Sequence, residues 1–174
     1  MNGFCELILG GARSGKSALA EQRAQDSGLE CVYVATATAG DGEMRARIAH
    51  HRQRRDSSWA LVEEPVSLAD ALLQQQGSER CILVDCLTLW LSNCLHQQCW
   101  PRERARLLEV LPTLSGHIIL VSNETGLGVV PMGELSRQFV DEAGFLHQRL
   151  AALCQQVTLT VAGLPLSLKS PREV

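Results

Sequence analysis

No apolar run in these 174 residues reaches membrane-spanning length, and the N-terminus carries no charged-then-apolar leader pattern, so neither a membrane span nor a secretory route is expected. Positive charge is not in excess. Sixteen Lys and Arg face nineteen Asp and Glu, a net charge of −3, whereas a general nucleic-acid binder needs a basic face. The seven cysteines (Cys5, Cys31, Cys81, Cys86, Cys94, Cys99, Cys154) include no C-x-x-C pair, which argues against a zinc site. Several lie inside apolar runs, where cysteine acts as a small hydrophobe, and an odd number of scattered thiols predicts a reducing, cytoplasmic setting. Internal repeats, low-complexity linkers and the N-K-x-D guanine-reading string are all missing, and the length leaves no room for an appended effector domain. With 45% hydrophobic residues, the chain is expected to form one domain over 1–174 with a real core.

What is present begins at Gly10-Gly11-Ala12-Arg13-Ser14-Gly15-Lys16-Ser17. The run matches G-x-x-x-x-G-K-[ST], lies directly after the apolar stretch Phe4–Leu9 and opens the helix-like segment Ser17–Gln25. Glycines let consecutive backbone N–H groups curl around an anion, and the following helix N-terminus adds a fixed positive dipole. Lys16 is expected to reach the β- and γ-phosphates of a nucleoside triphosphate, and the Ser17 hydroxyl to ligate Mg²⁺.

Short apolar runs of strand length recur at Cys5–Leu9, Cys31–Ala35, Cys81–Asp85, Ile118–Ser122 and Val157–Val161. They show no polar alternation, as expected for strands buried on both faces. Helical patterns fall between and after them at Ser17–Gln25, Gly42–Arg55, Ser67–Gln75, Leu87–Gln97, Arg102–Leu111 and Glu134–Gln155. The alternation predicts an α/β fold, a P-loop NTPase-like (RecA-like) parallel sheet with helices on both faces. Asp41 and Ser67 are candidate caps, the latter with Asp70 at capping-box spacing, and Pro101 suits a first helical turn. The segment Leu164–Val174, with two prolines, reads as a loosely ordered end.

Three further features bear on chemistry. Cys81–Asp85 is an apolar strand ending in a carboxylate, and such strand ends face the ligand in a parallel sheet, so Asp85 either holds Mg²⁺ or caps the helix from Leu87. Between Asp41 and Arg55 five arginines and the adjacent His50 and His51 fall within eleven residues. Helical spacing sets Met44, Ile48 and His51 on one stripe, with Arg47 and Arg55 flanking His51 at i−4 and i+4. Neighbouring cations would keep that imidazole neutral and able to attack an α-phosphate, or else the segment is simply a solvated basic helix. The loop Asn123–Pro131 follows the strand Ile118–Ser122 to the same sheet edge; it is either a demanding glycine turn or a place where Asn123 and Glu124 face the phosphates or the acceptor.

Taken together, these segments resemble the bifunctional adenosylcobinamide kinase / adenosylcobinamide-phosphate guanylyltransferase family of cobalamin biosynthesis. The resemblance is carried by Gly10–Ser17, Tyr33–Ala37, Asp41–Arg55, Trp59 with Glu63, the Asp85 strand and Val121–Pro131. The pairing of E-M-x-x-R-I-x-x-H-x-x-x-R with N-E-T-G-L-G-x-V-P is what makes it specific. The resemblance implies two reactions: ATP or GTP phosphorylates adenosylcobinamide, and GTP then passes GMP through a histidine to the phosphorylated product, with release of pyrophosphate. It places the guanylylated histidine at His51, with His50 as runner-up. It implies nucleotide contacts at Gly10, Gly11, Ala12, Arg13, Ser14, Gly15, Lys16, Ser17, Ala35, Thr36, Ala37, Arg52, Gln53, Arg54, Arg55, Glu63 and Asp85, with Mg²⁺ on Ser17 and Asp85. It also implies a homotrimer. The stretch Asp56-Ser57-Ser58-Trp59 departs from the family, which often has proline there.

Overall fold

The computed structural model describes residues 3–37 and 59–171. The β-branched and aliphatic runs become six parallel strands: β1 Phe4–Gly10, β2 Glu30–Ala35, β3 Ala60–Glu63, β4 Arg80–Asp85, β5 His117–Asn123 and β6 Gln156–Val161. A seventh, β7 Leu164–Lys169, runs antiparallel to β6 and completes one sheet in the order β3-β2-β4-β5-β1-β6-β7. The described helices are α1 Lys16–Asp26, α2 Leu68–Gln75, α3 Leu87–His96, α4 Trp100–Val110 and α5 Glu134–Leu153.

Alternate residues of the central strands supply two cores, which is why those strands carry no polar alternation. Ile8, Tyr33, Leu83, Ile119 and Val121 meet Ala20 and Ala24 of α1 on one face. Leu7, Val34, Ile82, Val84 and Leu120 pack on the other face against residues of the remaining four helices. Helices therefore cover both faces, as the strand–helix alternation predicts. Trp90 and Leu91 belong to this second core. The Trp90 ring stands edge-on to Trp100 at 5.1 Å, and its Nε1 donates to the Val66 carbonyl at 2.6 Å. The described cysteines are free thiols, most of them buried. Burial and the neighbouring Cys31 push the Cys81 thiol up to about 12, so it packs as a protonated, inert hydrophobe.

Two expectations need correction. The segment from Leu164 is not a loose end, because Ala162 and Gly163, both at positive φ, turn the chain back into β7. Pro165 is tolerated because β7 is an edge strand, and Lys169 Nζ donates to the Ala151, Ala152 and Cys154 carbonyls at the end of α5. Ser67 does not cap α2 through its side chain; Glu64 Oε1 accepts the Val66 and Ser67 amides instead, at 2.9 and 2.7 Å. The four-residue β3 was not anticipated. Pro101 does stand in the first turn of α4.

Candidate active site

The β1–α1 connection wraps tightly. Gly10 tolerates no side chain, since a Cβ there would lie 2.4 Å from Ser14 Oγ and 2.8 Å from the Thr160 carbonyl oxygen. Gly15 adopts φ +92°, a left-handed conformation that other residues reach only with strain. A Cβ on it would meet the Cα of Gly163 at 3.2 Å. The Gly163 amide donates to the Ser14 carbonyl at 2.8 Å, so the β6–β7 turn braces the loop from behind. Helix α1 starts with no side-chain cap on its first-turn amides, which leaves N–H groups and a positive dipole end directed at the loop. Lys16 folds back, buried, with Nζ donating to the Gly11 carbonyl at 3.1 Å. Ser14 Oγ is buried without a hydrogen-bond partner among the described residues. A buried ammonium and an orphaned hydroxyl beside open helix amides form a cradle that an anion would complete.

The register aligns the strand ends into one rim, on which Gly10 pairs with Asn123 of β5 and Thr160 of β6, and Ala35 with Asp85 and Glu63. Four strand spacings separate β1 from β3, about 19 Å. Asp85 thus sits two strands from the phosphate loop, with β5 between. The Tyr33 hydroxyl donates to Asp85 Oδ2 at 3.1 Å, which fixes the carboxylate at the rim. Among the described residues no cluster of three metal-ligating side chains occurs. Mg²⁺ does not require one, because it keeps several waters and takes phosphate oxygens; the half-buried Ser17 and Asp85 fit that pattern.

Thr36 is fully buried. Its hydroxyl donates to the Cys86 carbonyl at 2.7 Å and accepts the Cys86 amide at 2.9 Å, while Asn93 Nδ2 holds the Thr36 carbonyl at 2.8 Å. This bracket sets the rim between Ala35 and Asp85, with the Thr36 side chain committed to the protein interior. Glu63 ends β3 beside Ala35, and Trp59 packs against Tyr33 at 6.4 Å.

At the end of β5 lies a group that the sequence did not reveal. Buried Ser122 Oγ is 2.7 Å from His147 Nε2, and His147 Nδ1 is 3.8 Å from Glu124 Oε2. Burial lowers the His147 pKa, and the Glu124 charge opposes that shift only in part. The Glu124 amide donates to the Gly10 carbonyl at 2.9 Å, and Asn123 Nδ2 to Thr88 Oγ1 at 2.9 Å. Asn123 and Glu124 were legible from their place after a strand. His147 was not, because it arrives from α5 more than twenty residues on and no local pattern marks it.

The structure thus brings Gly10–Ser17, Ala35–Ala37, Glu63 and Asp85 to one rim. His50, His51, Arg52, Gln53, Arg54, Arg55 and Asp41 lie outside the described residues. No described helix is long and apolar enough to cross a membrane.

Residues 6–168 match the family model described as cobinamide kinase / cobinamide phosphate guanyltransferase. The chain is 62% identical over 167 residues to the bifunctional adenosylcobalamin biosynthesis protein CobP of Pseudomonas aeruginosa, covering 94% of this chain and 96% of the relative. It is 35% identical over 179 residues to the bifunctional adenosylcobalamin biosynthesis protein CobU of Escherichia coli K12, covering 94% and 98%. In structure it resembles the ATPase EscN of enteropathogenic E. coli at TM-score 0.62, with 14% identity, over 99% of this chain and 47% of that one. The fold is that of the P-loop NTPases, on a RecA-like sheet.

Proposed function

Because this chain belongs to the cobinamide kinase / cobinamide phosphate guanyltransferase family, we propose that it performs both reactions at the rim just described, on adenosylcobinamide as the corrinoid. In the first, the γ-phosphate of ATP or GTP passes to the hydroxyl of the aminopropanol arm of adenosylcobinamide. In the second, a His51 ring nitrogen attacks the α-phosphorus of GTP and pyrophosphate leaves. A phosphate oxygen of adenosylcobinamide phosphate then displaces the histidine, giving adenosylcobinamide-GDP. His50 is the alternative nucleophile.

The observation that carries this reading is the cradle at Gly10–Ser17, where the buried Lys16 ammonium is held over the loop by the Gly11 carbonyl oxygen. Lys16 and the α1 amides hold the β- and γ-phosphates in place. Ser17 and Asp85 would hold Mg²⁺, which when bound neutralises charge on the phosphate oxygens. Ala35–Ala37 and Glu63, further along the rim, are assigned to the nucleotide with Arg52–Arg55. Thr36 is assigned to the same set through its bracket on Cys86, which fixes the backbone there. A homotrimer and a cytoplasmic location complete the reading, and the free thiols accord with the latter.

Incubation with Mg²⁺ and GTP labelled at the α-phosphate tests it. Acid-labile, alkali-stable label on the protein is expected, lost in His51→Ala while γ-phosphate transfer survives. Label retained in His51→Ala but lost in His50→Ala would move the nucleophile by one residue. Lys16→Ala should lose at least about 100-fold in both reactions; turnover within about threefold of wild type would remove the phosphate-clamping role.

A further inference from the structure

Strand β5 runs between β1, which carries the phosphate loop, and β4, which carries Asp85. A terminal phosphate held by Lys16 on one side and, through a metal, by Asp85 on the other would therefore face the C-terminal end of β5. The residue there with a partly open carboxylate is Glu124. Its side chain keeps 20% exposure, against 9% for the His147 side chain behind it. Its amide is fixed to the first glycine of the loop through the Gly10 carbonyl. One carboxylate oxygen, Oε1, accepts the Gly126 amide at 2.5 Å, and the other, Oε2, faces His147 Nδ1 at 3.8 Å. A carboxylate offers about four lone-pair sites, so these two contacts leave room for a third. Ser122 Oγ and His147 Nε2 share a hydrogen bond at 2.7 Å; in the tautomer in which the hydroxyl donates, the ring proton lies on Nδ1, the nitrogen turned to Glu124. The imidazole is held from behind and the carboxylate stands at the rim.

We propose that Glu124 is the general base of the phosphoryl-transfer step, and that His147 is a positioning residue which orients its carboxylate. The inference rests on the kinase reading given above. The acceptor hydroxyl oxygen forms its bond to the γ-phosphorus as the bond from that phosphorus to the β–γ bridging oxygen breaks. The electron pair of the broken bond leaves with the nucleoside diphosphate. The hydroxyl proton passes to Glu124 and from there to water as product departs. Guanylyl transfer makes no such demand. Its acceptor is a phosphate monoester, already largely ionised at neutral pH, with no proton to give up. Glu124 is therefore required by one of the two reactions alone, which a purely structural glutamate would not be.

The test measures the two reactions separately in Glu124→Gln, which keeps the shape and loses the base. Expected is a fall of about 100-fold or more in kcat for cobinamide phosphorylation. GTP affinity, and GMP transfer to supplied adenosylcobinamide phosphate, should stay within about threefold. Kinase kcat within threefold of wild type would overturn the proposal, as would an equal loss in both reactions. His147→Gln, or His147→Asn if the first does not fold as judged by its melting curve, should lower kinase kcat about tenfold with little change in KM. Combined with Glu124→Gln it should add nothing further, because it acts through that carboxylate; additive losses would remove the positioning role. A wild-type protein that takes label from GTP but phosphorylates no cobinamide would defeat the kinase reading itself. A normal wild type with an active Glu124→Gln variant defeats only the base.

Discussion

Glu6 sits in the middle of β1, almost wholly buried, and is kept there by charge that arrives from another element. Arg23 reaches down from α1 to pair with it and also donates to Thr158 Oγ1 of β6 at 3.0 Å. His117 of β5 completes the group, with Nε2 3.9 Å from Glu6 Oε2 and the Phe4 ring edge-on at 5.0 Å. Burial, and then the Arg23 charge, hold the His117 pKa below the ordinary histidine value. The unfolded chain therefore binds this proton at a higher pH than the native one, and stability falls as pH drops below about 6.5. His147 has the same sign, from burial. We expect the melting temperature to drop by a few degrees between pH 7.5 and 5.5, and to drop less steeply in His117→Asn. Equal slopes in the two proteins would remove His117 from the account. Residues of this kind were illegible in the sequence, because Glu6, Arg23, His117 and Thr158 meet only after four elements are assembled. Lys16 and Asp85, by contrast, were legible because each stands in a local string whose chemistry dictates its neighbours.

The elements followed the same division. The buried strands and long helices could be read from runs and period, since burial on both faces or on one stripe leaves its mark within a few residues. β3 could not, at four residues with little buried. β7 could not either, because Pro165 and Pro171 read as strand breakers although Leu164, Leu166 and Leu168 alternate after the turn at Ala162–Gly163. That hairpin matters, because its turn is the brace behind the phosphate loop. At Gly15 an added methyl faces both a left-handed backbone, worth about 1–2 kcal/mol, and the Gly163 Cα at 3.2 Å. Gly15→Ala should lower the melting temperature by several degrees and weaken GTP binding at least about tenfold. Gly11→Ala, where the methyl would meet nothing within 4 Å, should leave the melting temperature near wild type. If Gly15→Ala melts like Gly11→Ala, the hairpin does not constrain the loop.

At the scale of the whole molecule, most of the large apolar side chains exposed on the described surface fall into two groups. One is the segment from Leu127 to Leu135 that leads away from Glu124, and the other is the outer edge of the sheet, where Leu164, Leu166 and Leu168 share one side of β7 beside Val161. A monomer rarely leaves an apolar sheet edge open, because its unpaired backbone and side chains invite association. The β7 face carries leucines at alternate positions, and the ammonium of Lys169, which ends the strand, is committed to carbonyls at the end of α5. In the proposed homotrimer, this face would be covered by a second copy of the chain. Light scattering on the eluting protein at micromolar concentration should give three times the 19.0 kDa of one chain. Leu166→Glu should shift it to the mass of a single chain, while the buried core, to which Leu166 contributes nothing, keeps its melting transition. A Leu166→Glu protein that remains trimeric would move the contact to the Leu127–Leu135 segment. Subunit contacts would then lie beside the phosphate rim, and assembly would be coupled directly to turnover.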